Sequence, residues 1–191
     1  MNYNDLKQET DYNANLKLIN KRFNRISKFI KSINGNVLDI GNRNDFGTYL
    51  AKTKNLTYYH TGTQDLNYKL ELDMKCFDNI FCFDVLEHLV NPLLFIENLK
   101  QYCNANTKII VSVPRKKFKW MWAKIHWHEF DDKRFNLLIN IAGYNIIKGE
   151  SFIARSSWKQ FIGFWIRPYL RLLMFWIFPP KSHLYLLKYS P

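Results

Sequence analysis

The sequence predicts an α/β fold: a mostly parallel sheet covered by helices on both faces. Three observations carry this. Short apolar runs recur along the chain and read as buried strands: NVLDI (36–40), LTYYH (56–60), the start of DNIFCFDVL (78–86), TKIIVSVP (107–114), YNII (144–147) and HLYLLKY (183–189). Segments with helical spacing separate most of them, which is the pattern of a parallel-rich sheet. Ionisable residues crowd the ends of two of these strands, Asp39 on one and Asp84, Glu87 and His88 on the other. Sheets of this kind bind ligands beyond the carboxyl ends of their strands.

Taken in order, residues 14–33 place Leu16, Ile19, Phe23, Ile26, Ile30 and Ile33 at helical spacing, with Lys17, Lys21, Arg22, Arg25, Lys28 and Lys31 on the other faces. That is an amphipathic helix with a basic outer side, ended by Gly35. A strand follows at 36–40, a helix at 46–53 and a second strand at 56–60. Residues 61–77 are irregular, with room for a short strand. The run from 78 opens as a buried strand. Residues 91–103 suit a helix with Pro92 in its first turn, where proline is favoured. The strand 107–114 stops at Pro114. Residues 131–142 suit a helix with Gly143 at its C-terminal cap. Residues 158–177 are strongly apolar and aromatic, Pro179-Pro180 break the chain, and 183–189 form a last strand. A chain of 191 residues fits one domain in three parts: the N-terminal helix (1–34), a core (35–150), and an apolar, aromatic helical insertion with the last strand (151–191).

The balance of 28 basic against 16 acidic residues gives a net charge of +12. Such a charge favours anionic partners: nucleic acid, a phosphorylated substrate or an acidic membrane surface. A solvated Lys- and Asn-rich surface explains the charge equally well. Cys76, Cys82 and Cys103 are odd in number and show no CxxC spacing, which excludes a disulfide framework and a zinc site as sequence readings. A reducing, cytoplasmic setting is expected. The opening MNYNDLKQETDYN is polar and does not read as a signal peptide.

Two segments carry chemistry. In Asp39-Ile40-Gly41, a glycine just after a strand lets backbone approach a ligand closely, and the helix that follows offers free N–H groups. In FDNIFCFDVLEHLVNP (77–92), an apolar strand ends at Asp84, and Glu87 and His88 follow at once. A helix N-terminus decorated with acids is the structural alternative. The order VLDIG, FDNIFCFDVLEHLVNP, KIIVSVP, HEFDDKRFNLLINIAGYNII resembles a class I S-adenosylmethionine-dependent methyltransferase from about residue 35 to 150. DVLEHLVNP is the most specific part.

The resemblance implies a seven-stranded, mostly parallel Rossmann-like sheet with HLYLLKY as an antiparallel last strand. It implies S-adenosylmethionine as cofactor, bound by Gly47 among others, with Asp39 and Gly41 at its methionine part, Asp65 and Leu66 near its adenine, and Asp84 and Val85 lining the floor between cofactor and acceptor. Two departures stand out. Asn42, Arg43 and Asp45 occupy positions where the family has small residues. The acid that usually ends the second strand and accepts both ribose hydroxyls is missing from YYHTGTQD, leaving Thr61, Thr63 or Gln64 as substitutes. Its loss costs about 1–3 kcal/mol, the scale of a charge-assisted hydrogen bond, or about 5- to 150-fold in affinity. Arg43 is expected to pair with the cofactor carboxylate and offset part of this.

Methyl transfer to a hydroxyl needs alignment and a base. Candidate bases are Glu87, His88, His126, His128 and Glu129. Asp84, Glu87 and His88 have the i, i+3, i+4 spacing that one helical turn places on one face. Small-RNA 2′-O-methyltransferases and ubiquinone-pathway enzymes have a similar acid-x-x-Glu-His and bind a divalent cation there. The small-RNA enzymes add a histidine in a context like His128-Glu129-Phe130. The implied ligand set for Mg²⁺ or Mn²⁺ is Asp84, Glu87, His88 and His128. The alternative is that Glu87 and His88 simply cap a helix.

Two basic-aromatic segments remain. PRKKFKWMWAKIHWH (114–128) follows a strand end and interleaves cations with tryptophans, a pattern that stacks on bases, sugars or headgroups when it does not merely pack down as a lid. Residues 156–180 approach the length of a membrane span, but Arg167, Pro168 and Arg171 interrupt them. A helix pair lying on the domain and dipping into an anionic membrane interface is preferred, since no acid occurs from Ser151 onward. A homodimer interface or a cover for the substrate pocket competes with it. The leading expectation is a methyltransferase acting on the oxygen of a small molecule, a surface glycan or a lipid-linked intermediate, in the cytoplasm or at the inner face of the membrane. The alternatives are a non-catalytic binding protein that keeps the fold, and an RNA methyltransferase.

Overall fold

The computed structural model describes residues 24–30, 33–42, 45–115, 125–153 and 181–190. Residues 24–29 are helical (α1). Then follow β1 (Asn36–Asp39), α2 (Asp45–Lys54), β2 (Thr57–His60), β3 (Asn79–Phe83), a 3-10 turn (Leu86–His88), α3 (Pro92–Asn98) running into a second 3-10 turn (Leu99–Tyr102), β4 (Lys108–Pro114), α4 (Asp132–Ile141), β5 (Tyr144–Ile153) and β6 (Lys181–Tyr189). The strands form one sheet in the order β2-β1-β3-β4-β6-β5. The first four pair in parallel, and β6 runs antiparallel to both β4 and β5.

Alternation along the strands divides the core in two. Leu38, Ile80, Cys82, Ile109, Val111 and Leu187 face Phe95, Ile96 and Leu99 of the α3 segment and Phe135 and Ile139 of α4. Val37, Phe81, Ile110 and Leu184 face Ile26 and Phe29 of α1, the adjoining Ile30, and Leu50 of α2. Two apolar layers on opposite faces of one sheet are what the near-continuous apolar strands require. The helix starts follow local chemistry. The Asn91 side chain accepts from the Leu94 N–H at 3.1 Å with Pro92 in the first turn, and Asp131 accepts from the Arg134 N–H at 2.8 Å.

The sheet has six strands among the described residues, not the seven implied by resemblance. Residues 61–77 contain no strand, and side chains bond part of their backbone instead. The Tyr102 hydroxyl donates to the Leu70 carbonyl at 2.7 Å and accepts from the Leu72 N–H at 3.2 Å. The Gln64 amide donates to the Glu71 carbonyl at 2.9 Å and accepts its N–H at 3.1 Å. The predicted helix at 91–103 tightens into a 3-10 turn after Asn98, and the strand opening at YNII runs on to Ile153. Of the predicted 14–33 helix, residues 14–23 and 31–32 lie outside the described residues, as do the segments 116–124 and 154–180.

Candidate active site

The carboxyl end of β1 carries Asp39, a carboxylate only 3 % exposed. The Tyr58 hydroxyl, reaching from β2, donates to its Oδ2 at 2.9 Å. Gly47, early in α2, lies directly against this pair. A Cβ built on Gly47 would meet the Tyr58 hydroxyl, stand 2.5 Å from Tyr58 Cε2 and 2.6 Å from Asp39 Oδ2. Gly41 turns the chain at φ +114°, with open space where a Cβ would point. A left-handed backbone beside open space is where glycine lets a ligand approach the main chain. The Gly41 N–H donates to Thr61 Oγ1 at 2.7 Å, and the Gly41 carbonyl accepts from the Gly62 N–H at 3.0 Å. The loop after β1 is thereby fastened to the loop after β2.

Asp84 follows β3 directly and adopts φ +56°, which is uncommon for a residue with a side chain. Ser112 of β4 holds it there. The Ser112 hydroxyl donates to Asp84 Oδ1 at 2.8 Å and accepts from the Asp84 N–H at 3.1 Å, while the Ser112 carbonyl takes the same N–H at 3.0 Å. Backbone held in a sparsely populated region by its surroundings is characteristic of functional sites. Val85 packs half-buried against the core. The 3-10 turn then buries Glu87, which is 1 % exposed. Its carbonyl accepts from the N–H groups of Trp127 at 2.8 Å and His128 at 3.2 Å, and this draws residues 125–130 onto the turn.

Three side chains meet here. Ligand atoms of Glu87, His88 and His126 all lie within 4.8 Å of one another. The two imidazoles meet edge to face with centroids 4.8 Å apart. His88 Nδ1 lies 3.1 Å from the Ile125 carbonyl, and His126 Nδ1 lies 2.9 Å from Glu129 Oε1. Carbonyl and carboxylate oxygens only accept, so Nδ1 carries the hydrogen in both rings. In the neutral ring Nε2 then offers its lone pair. His128 is outside this group, with Nε2 3.3 Å from the Val90 carbonyl. Asp84 is outside it too. The helical spacing that grouped Asp84 with Glu87 and His88 is not realised, because Asp84 precedes the turn in a left-handed conformation and its carboxylate is turned to Ser112.

Asp39, Asp84 and Glu87 all lie at the carboxyl ends of the neighbouring parallel strands β1 and β3. The buried Cys82 thiol registers all three: desolvation pushes its pKa well up, and the charges of Glu87, Asp39 and Asp84 add to the rise. Elsewhere the expected positions are partly diverted. The Asp65 carboxylate is exposed and accepts from Asn67 N and Nδ2, each at 3.0 Å, so it shapes a turn. Leu66 packs half-buried on the core. Asn67 Oδ1 accepts from the Val90 N–H at 2.7 Å and ties this turn to the loop after β3. Of the three substitutes for the ribose acid, the Thr61 hydroxyl is on Gly41, the Gln64 amide is folded onto Glu71, and Thr63 is exposed. Arg43 lies outside the described residues.

Sequence reasoning missed Tyr58 and Ser112, which reach the site across the sheet from neighbouring strands and leave no signal in local spacing. It named His126 only as a base, and its distance from Glu87 along the chain hid their contact.

No family model and no curated protein matches the sequence. Solved structures do match the fold. A SAM-dependent methyltransferase from Archaeoglobus fulgidus superposes with a TM-score of 0.64 at 14 % identity, covering 98 % of this chain and 100 % of that one. Haemonchus contortus phosphoethanolamine N-methyltransferase 2, bound to phosphomonomethylethanolamine and S-adenosylhomocysteine, gives 0.65 at 11 % identity, over 90 % of this chain and 52 % of that one. The [4+2]-cyclase SpnF gives 0.56 at 11 % identity over 89 % and 81 %. The chain therefore has the Rossmann-like fold of the class I S-adenosylmethionine-dependent methyltransferases. The cyclase demonstrates that this fold hosts other reactions as well.

Proposed function

We propose that this chain is an S-adenosylmethionine-dependent O-methyltransferase whose acceptor hydroxyl belongs to a small molecule, a surface glycan or a lipid-linked intermediate. The observation that carries this is the placement of Asp39, Asp84 and Glu87 at the carboxyl ends of the neighbouring parallel strands β1 and β3 in a chain of net charge +12. Acids placed at adjacent strand ends of a basic protein suit a ligand with cationic centres, and the cofactor carries both an ammonium and a sulfonium. The left-handed Gly41, open on its Cβ side, gives the ligand access to the backbone. Asp39 and Gly41 would hold the methionine part, with Gly47 beside them, Asp65 and Leu66 would lie toward the adenine, and Asp84 and Val85 would line the floor. The cofactor, when bound, supplies the methyl group on a good leaving group.

The protein's own work is to align the acceptor and take its proton. His88 and His126 are suited to the second task through their Nε2 atoms, with Nδ1 fixed by Ile125 and Glu129. Glu87, His88 and His126, whose ligand atoms lie within 4.8 Å of one another, would suit a divalent cation such as Mn²⁺. A bound cation would lower the pKa of an acceptor hydroxyl. The rim beside these residues is apolar, since Val90, Ile125 and Trp127 are exposed. Residues 154–180, basic and aromatic in sequence, follow β5 and precede β6 in the chain. These features favour a lipid-linked acceptor presented at an anionic membrane surface. No helix among the described residues is long and apolar enough to cross a membrane.

Titration calorimetry with S-adenosylmethionine, with and without Mn²⁺, tests the reading. Saturable micromolar binding is expected. Absence of binding up to millimolar cofactor by the folded protein would overturn it in favour of a non-catalytic binding protein, the reading motivated by the missing ribose acid and by Asn42, Arg43 and Asp45. Flotation with anionic but not neutral vesicles is expected for the membrane role, whereas salt-dependent RNA affinity without flotation would favour the RNA methyltransferase.

A further inference from the structure

We propose that Tyr58 is a positioning residue of the cofactor site, acting through Asp39. The inference rests on the cofactor reading above. Asp39 ends β1 beside the Gly41 turn, and its carboxylate must keep one orientation to meet a cationic group there. Two features fix it. The Tyr58 hydroxyl donates to Oδ2 at 2.9 Å from the neighbouring strand. Gly47 adds no side chain at the one place where it would displace both partners, 2.5 Å from the ring and 2.6 Å from the carboxylate. Register explains the reach. Tyr58 pairs with Val37 across β1–β2, so its long side chain extends two residues forward to Asp39.

A phenol donating to a carboxylate is a charge-assisted bond, stronger than a neutral one. Here it braces the strand end that leads into the Gly41 turn. A second hydroxyl, that of Thr61, braces that turn through the Gly41 N–H. Tyr58 need not touch the ligand; its effect passes through the carboxylate it aims.

The test is the dissociation constant of S-adenosylhomocysteine, measured by calorimetry for wild type, Tyr58→Phe, Asp39→Asn and the double variant. Tyr58→Phe keeps the ring and removes only the hydroxyl. About a five- to tenfold weakening is expected, equivalent to roughly 1–1.4 kcal/mol. In the Asp39→Asn background the same substitution should have little further effect, because the residues act as a unit. A purely structural role would not produce that non-additivity. Ile139→Val, a core change under α4, controls for stability and should leave affinity unchanged. Wild-type affinity in Tyr58→Phe, or an equal loss in both backgrounds, would overturn the proposal. Failure of the wild type to bind at all would overturn the cofactor reading and the proposal with it.

Discussion

Replacing Gly47 by alanine sets local and tertiary preferences against each other. Gly47 is the third residue of α2. In an isolated helix the change gains up to about 1 kcal/mol from propensity. In the folded chain the new methyl would lie 2.5 Å from Tyr58 Cε2 and 2.6 Å from Asp39 Oδ2, about 1 Å inside the usual carbon contact distance. Neither neighbour yields easily, since both sit on paired strands and are bonded to each other. Over-packing of this kind costs about 1–3 kcal/mol, and escape by breaking the Tyr58–Asp39 bond costs about 1.5–3 kcal/mol. The net expectation is a destabilisation of about 1–2 kcal/mol, or a fall in thermal midpoint of roughly 2–8 °C for a chain of this size. Urea unfolding followed by tryptophan fluorescence at neutral pH measures it. Adding Tyr58→Phe should recover only part of the loss, because the ring and carboxylate contacts remain. A Gly47→Ala protein as stable as wild type, or more stable, would show that α2 does not press on this pair and would refute the reasoning.

Other expectations follow from the same geometry. Ser112→Ala removes a donor to the Asp84 carboxylate and an acceptor for its N–H, so stability should fall by about 1–3 kcal/mol and cofactor affinity with it; unchanged values of both would dismiss Ser112 as the holder of Asp84. Mn²⁺ binding, read by electron paramagnetic resonance, should weaken at least tenfold in His126→Ala, on the scale of losing a metal-site group, and hardly change in His128→Ala. Loss only in His128→Ala would return the ligand role to that residue. Burial pushes the Cys103 thiol from 9.0 up to about 12, and Cys82 also lies well above 9.0. Both hold their protons when folded and release them near pH 9 when unfolded, so their contribution to stability is complete below pH 9 and falls as pH rises toward 12. Urea midpoints at pH 7.5, 9 and 10.5 should decline, and a flat profile would contradict the burial of these thiols.

The sequence by itself determined the elements and their order. Apolar runs at 36–40, 78–83, 107–114 and 183–189 could be buried only as strands of a covered sheet, and Pro92 and Gly143 marked helix ends through local backbone chemistry. It also located Asp39, Asp84, Glu87 and His88 at strand ends, because an acid closing an apolar run is visible in one dimension. Only the tertiary structure decided how these groups are held and which of them meet. Tyr58 reaches Asp39 across one strand pair, and Ser112 reaches Asp84 across another. His126 joins Glu87 and His88 because two backbone N–H groups dock onto the Glu87 carbonyl. Within the described residues 61–77, side chains of Tyr102 and Gln64 bond the backbone at Leu70, Glu71 and Leu72 where a short strand had room. In each case the partners are far apart in sequence, or their bond depends on a rotamer and a register. Periodicity records which face a residue buries, but not which neighbour it finds there.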